Sequence, residues 1–224
     1  MAGTFEARLE ALMAKYQRPP GDEPVPAWIL PPLSCEFLSA VAQLLPASVR
    51  AFEFGSGQST RALRRVTAQV SSIENSAHWL NQTEEGDAVT KRAGDYSAII
   101  PLRRCWNRMR AIESFDLKSH ADALTQLQQS QLILVDSPPN PAKREHALFL
   151  ALSYAPVGAV IILDDLEVRA VERFASRLAR QNQQQFRFWT LPIDHQLGVF
   201  YKLKRARVRS LPSLREFVGT WLRA

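Results

Sequence analysis

Cysteine is scarce in this chain: Cys35 and Cys105 are the two among 224 residues. Two cysteines cannot build the disulfide framework of a small secreted domain, nor a four-cysteine zinc site. Long apolar runs are missing too, and none approaches the ~20 residues that span a bilayer. The opening MAGTFEARLEALMAKY mixes Glu, Arg and Lys among its apolar residues, so no secretory leader is expected. A soluble, reduced, cytoplasmic protein is the expectation. The body also lacks net charge. From Lys202 onward there are seven basic residues against one acid, Glu216, which accounts for the whole excess of +6. The alkaline isoelectric point thus belongs to a tail, which weakens any reading of a protein that coats nucleic acid.

What is present is an alternating pattern. Phe5, Leu9, Leu12 and Met13 fall at helical spacing, and a stretch with six of the 14 prolines follows at 18–33. A helix is predicted over 34–45, with Ser34 as its cap. Strands are predicted at 50–54, 70–74, 89–93, 131–136 and 159–164, separated by helices from Ser59, from Ser76, over 120–129, over 143–154 and over 166–181. FRFWTL (186–191) and LGVFYKL (197–203) read as a closing hairpin. Helices between apolar strands require parallel crossovers and a sheet covered on both faces. The expected fold is α/β, a Rossmann-like doubly wound, mostly parallel sheet with a C-terminal antiparallel hairpin. It divides into an N-terminal helix and Pro-rich extension (1–33), a central domain (34–203) and a basic tail (204–224).

In such sheets ligands bind beyond the carboxyl ends of the strands. The first strand runs into Glu53-Phe54-Gly55-Ser56-Gly57-Gln58-Ser59, a turn whose glycines let a ligand reach backbone amides at a helix start. Residue 60 is Thr where a dinucleotide fingerprint wants a third glycine. Glu74 ends the next strand and can accept both hydroxyls of a ribose. Asp95 follows the third predicted strand. Each feature alone is also an ordinary turn or a solvated acid; together they suit a ligand with hydroxyls and an amine.

FEFGSGQST, SSIEN, RAGDY and the final LGVFYKL resemble, in order and placement, the motifs of class I S-adenosylmethionine-dependent methyltransferases over roughly residues 34–203. The resemblance implies S-adenosylmethionine as cofactor. Glu53, Gly55, Ser56, Gly57 and Ser59 would surround its methionine part, Glu74 would hold the ribose, and Asp95 would lie near the adenine. Asp136, Asp164 and Asp165 at two further strand ends are similar to the acidic set of catechol-type and sugar O-methyltransferases. By that match they would hold Mg²⁺ or Mn²⁺, which binds a substrate hydroxyl and lowers its pKa. The alternative is that Asp165 caps the next helix and Asp136 starts a turn. Catechol-type enzymes have a lysine three residues after the first metal Asp, and here that residue is Pro139. Asp136, Lys143 and His146 are the catalytic candidates, with His195 as a further possible base.

The expected activity is transfer of a methyl group to an oxygen of a small-molecule acceptor. The alternatives are an RNA- or protein-modifying methyltransferase, or a non-catalytic nucleotide-binding scaffold of the same fold. Asp136-Ser137-Pro138-Pro139 partly matches the Asp/Asn-Pro-Pro-aromatic signature of amino-group methyltransferases, but Ser137 intervenes and Asn140 replaces the aromatic. The segment 96–119 carries Arg103, Arg104, Arg108 and Arg110 around Trp106, which suits either an acceptor lid or a solvated insertion. In the tail, Leu214, Phe217, Val218, Trp221 and Leu222 share one helical face. That face suits docking on the same domain, on a second copy in a homo-oligomer, on a partner or on nucleic acid.

Overall fold

The computed structural model describes residues 4–17, 30–86, 91–107, 110–193 and 195–209. Seven strands form one sheet in the order β3-β2-β1-β6-β7-β9-β8. They are β1 (Arg50–Phe54), β2 (Gln69–Glu74), β3 (Tyr96–Ile99), β6 (Leu132–Val135), β7 (Val160–Leu163), β8 (Phe186–Pro192) and β9 (Gln196–Lys202). The first five are parallel, and β9 runs antiparallel to both β7 and β8. The chain leaves β1 toward β2 and β3, then returns to place β6 on the other side of β1. That reversal opens a crevice beyond the carboxyl ends of β1 and β6.

Period-two alternation sends each strand's side chains to opposite layers. Phe52, Phe54, Ile133, Val135, Ile161 and Leu163 pack under α5 (Ala121–Gln129), α6 (Glu145–Tyr154) and α7 (Arg169–Gln181). Ala51, Leu132, Leu134, Val160 and Ile162 pack under α1 (Phe5–Tyr16), α2 (Pro32–Leu44) and α3 (Gln58–Val66). Leu9 of α1 is fully buried, and Phe5 stacks on Tyr201 at 5.0 Å between ring centres. Helix α1 therefore shares the core of the central domain. So does the start of the tail, where Val208 is buried and Asn182 exchanges hydrogen bonds of 2.7 and 2.8 Å with the Arg209 backbone. The amphipathic tail face from Leu214 onward lies outside the described residues.

Three local expectations change. Helix α2 begins at Pro32, with proline at its first position, so Ser34 lies inside the helix and is not its cap. The strand that pairs with β2 is Tyr96–Ile99, from Ser71↔Tyr96 to Glu74↔Ile99, while residues 91–93 of the expected 89–93 form no strand and 89–90 lie outside the described residues. The long connection after it is no irregular loop. β4 (Leu102–Asn107) and β5 (Arg110–Phe115) form a separate two-stranded antiparallel sheet. Arg103 is exposed there and pairs with Asp116 at 3.2 Å; the side chains of Trp106, Arg108 and Arg110 lie outside the described set.

Candidate active site

Backbone pairing lines up the strand ends. Gly55 N donates to Ile73 O at 2.8 Å, Asp136 N to Phe54 O at 3.1 Å, and Asp164 N to Val135 O at 3.1 Å. These bonds carry Gly55, Glu74, Asp136 and Asp164 to one rim of the sheet. A cavity of about 520 Å³ opens there, walled by Gly55, Ser56, Gly57, Glu74, Trp79 and Asp136, with Arg144 and Asp164 at the same wall. Gly55 runs at φ +111°, and a Cβ on it would come within 3.2 Å of the Ser137 Cβ. At Gly57, an added Cβ would meet nothing within 4 Å. One glycine is required by the fold, and the other faces open space.

Glu74 is buried and held by three amides. Its Oε2 accepts from Ser56 N at 3.1 Å, while its Oε1 accepts from Asn75 N at 2.7 Å and Ser76 N at 3.0 Å. Burial raises its pKa, opposed by those amides. A carboxylate has about four acceptor sites, so capacity remains for a hydroxyl. The Ser56 hydroxyl is buried at the same wall without a hydrogen-bond partner among the described residues.

Three expected cofactor residues do not line the cavity. Glu53 points down into the α3 side of the sheet, where it accepts from Ser59 Oγ at 2.9 Å and from Ser72 Oγ. Burial pushes its pKa up to about 7, although these hydroxyls favour the ionised form. Glu53 and Ser59 thus brace the glycine turn from beneath. Asp95 precedes β3 instead of following it, so it sits at the amino end of the strand, away from the rim. It accepts from Arg64 Nε at 3.1 Å, Val70 N at 2.9 Å and Arg92 N at 3.0 Å.

The catalytic candidates separate as well. Asp136 lines the cavity with its side chain 30% exposed. Lys143 is exposed and pairs with Glu113. His146 lies on α6 against Ser114, whose hydroxyl it meets through Nδ1, and burial pulls its pKa down to about 4. Neither Lys143 nor His146 reaches the cavity wall.

The three aspartates do converge, and they converge on a side chain. Arg144 Nη2 lies 3.0 Å from Asp136 Oδ1, and its Nη1 lies 2.7 Å from Asp165 Oδ2 and 3.8 Å from Asp164 Oδ2. Its Nε donates to Pro138 O at 3.1 Å. On the opposite side, His195 Nδ1 stands 3.7 Å from Asp165 Oδ1 and 4.0 Å from Asp164 Oδ1. Asp165 adopts φ +59°, a left-handed conformation that Asp tolerates better than most residues and that turns its carboxylate into the cluster. It does not cap α7, whose preceding residue is Val168. Burial, with Asp136 and Asp165 adding repulsion, raises the Asp164 pKa well above the usual range. Burial also raises that of Asp136, against the pull of Arg144.

No protein-family model and no curated protein sequence matches the chain. Solved structures do. The O-methyltransferase TomG from Streptomyces achromogenes, involved in tomaymycin synthesis and solved with SAM, superposes with a TM-score of 0.58 at 15% identity, covering 91% of this chain and 92% of that one. An O-methyltransferase from Bacillus cereus in complex with SAH gives 0.57 at 16% identity over 91% and 92%. An rRNA methylase from Streptococcus thermophilus gives 0.54 at 17% identity over 79% and 99%. The chain has the class I S-adenosylmethionine-dependent methyltransferase fold.

Within this methyltransferase fold the cavity fits that cofactor. Gly57 leaves room for close approach, Ser56 offers a hydroxyl without a partner among the described residues, and Glu74 retains acceptor capacity for a hydroxyl. The acidic set fits a metal less well. A divalent cation needs carboxylate oxygens at about 2.0–2.6 Å. Here one oxygen of each aspartate faces the Arg144 guanidinium instead. Asp164, Asp165 and His195 do bring ligand atoms within 4.8 Å of one another, and Asp164 Oδ1 and His195 Nδ1 are buried there without a hydrogen-bond partner among the described residues. Sequence reading missed Arg144 because its distance along the chain from Asp136 marks no motif. Trp79 was missed for a simpler reason: one exposed aromatic on a helix carries no signal.

Proposed function

We propose that this protein is an S-adenosylmethionine-dependent methyltransferase acting on an oxygen of a small-molecule acceptor. The reading is carried by one observation: the open cavity at the strand-order reversal, with the glycine turn on one wall and Glu74 at the next strand end. Gly55, Ser56, Gly57 and Glu74 bind the cofactor, which when bound supplies a methyl group on a positively charged sulfur. Asp136 faces the same space and accepts the proton of the acceptor hydroxyl. Alignment of the acceptor beside the cofactor supplies the rest of the rate. Glu74 and Asp136 at the cavity wall suit hydroxyl groups.

Isothermal titration tests the cofactor half. S-adenosylmethionine and its demethylated product should both bind, and Glu74→Ala should weaken binding at least tenfold while the protein stays folded. Unchanged affinity in Glu74→Ala would overturn the ribose assignment, and no binding by the folded wild type would overturn the whole reading. Labelled methyl should appear on small hydroxyl compounds; incorporation into RNA or protein instead would replace the acceptor class.

A further inference from the structure

We propose that Arg144 is the resident cation of the Asp136–Asp164–Asp165 cluster, so that this site works without a divalent metal. Three carboxylates share one sheet rim only where a cation or a bound proton relieves their repulsion, and here a guanidinium stands among them. The guanidinium supplies positive charge at ion-pair distance from all three: Nη2 lies 3.0 Å from Asp136, and Nη1, which makes no hydrogen bond among the described residues, lies 2.7 Å from Asp165 and 3.8 Å from Asp164.

The arginine is also fixed in place. Its side chain is 3% exposed, and its Nε bond to the Pro138 carbonyl ties it to the segment that follows Asp136. Arg144 immediately precedes α6 (Glu145–Tyr154), whose Leu148, Ala151 and Leu152 are buried in the core. The guanidinium is thus held between the Pro138 carbonyl and the start of a packed helix. A metal coordinating the same three oxygens would stand against the guanidinium, cation on cation. The opposite oxygens of Asp164 and Asp165 face His195, so side chains flank the cluster on both sides.

Occupancy of the cluster by Arg144 is independent of the reaction. Only its catalytic consequence, methyl transfer that ignores chelators, rests on the methyltransferase reading above. The test therefore uses binding of Mn²⁺ to the full chain, followed by the loss of its free-ion electron paramagnetic resonance signal, with thermal melting in parallel. Wild type should leave the Mn²⁺ signal as it is in buffer, and excess EDTA should not shift its melting. Arg144→Met, which removes the charge but keeps much of the apolar stem, should take up one Mn²⁺ per chain and melt higher in its presence. Arg144→Lys keeps the charge and should again exclude Mn²⁺, which separates charge from loss of fold. Stoichiometric Mn²⁺ uptake by wild type that disappears in His195→Ala would overturn the proposal and seat a metal on the histidine side. A folded Arg144→Met that takes up no Mn²⁺ would also overturn it, since the arginine would then fill no cation seat. Titration of S-adenosylmethionine into the same samples distinguishes this failure from failure of the cofactor reading.

Discussion

At Gly55 the backbone runs at φ +111° and the Ser137 Cβ stands 3.2 Å from where a side chain would begin. Gly57, two residues on, has φ 168°, which any residue adopts, and faces open space. The same motif thus contains a glycine the fold requires and one that faces open space at the cavity wall. Gly55→Ala should lower stability by about 1–3 kcal/mol in urea unfolding. Gly57→Ala should unfold within about 0.5 kcal/mol of wild type yet lose at least tenfold in cofactor affinity by calorimetry. Equal losses of stability would remove the distinction. The glycine pair was legible in the sequence because its spacing is local. The division of labour was not, because it depends on Ser137, which arrives from another strand end.

Strand β3 shows how one element moves a functional assignment. With the strand at 89–93, Asp95 would stand at the ligand rim; with it at Tyr96–Ile99, Asp95 stands at the opposite edge. There it holds Arg64, a guanidinium only 1% exposed, together with the amides of Val70 and Arg92. Asp95→Ala leaves those donors short of an acceptor, although Glu84 still pairs with Arg64 at 2.9 Å. The cost should be about 2–3 kcal/mol in urea unfolding, with the cofactor affinity of the folded protein unchanged. A selective loss of affinity at unchanged stability would return Asp95 to the site. The strand was misplaced because VTKRA and YSAI both carry moderate strand propensity, and pairing with β2 decides between them.

Across the whole molecule, two buried groups set opposing pH dependences. His146 has its pKa drawn down to about 4, so the unfolded chain binds a proton that the native state refuses as pH falls from about 6.5. Its contribution to stability is therefore complete above that range and is lost on acidification. Glu53, raised to about 7, does the reverse: the native state holds a proton that the unfolded chain has released, and stability is lost as pH rises from about 4.5 to 7. Between pH 4.5 and 6.5 the two slopes oppose each other. Glu53→Gln should lose stability on acidification through that window, by roughly 3–4 kcal/mol relative to His146→Gln, the sum of the two slopes after a discount for the partly exposed imidazole. Raised carboxylates in the aspartate cluster affect both variants alike and drop out of the difference. Urea midpoints at three pH values check the sign; parallel profiles would refute it. At this scale no described helix is long and apolar enough to cross a membrane.

The sequence by itself determined the layered α/β fold, the closing hairpin, the glycine turn and the row of acids at strand ends. Each is written in local periodicity or short spacing, and backbone pairing then has one way to assemble them. Tertiary structure alone decided what those acids face. Glu53 turns inward to two serines, Asp95 belongs to the far edge, and the three aspartates meet Arg144. A side chain's electrostatic partner depends on which segments the fold brings within a few ångströms, and that distance is not encoded by separation along the chain. The net charge of +6 located a basic tail, whereas the cation among the three aspartates is the buried Arg144.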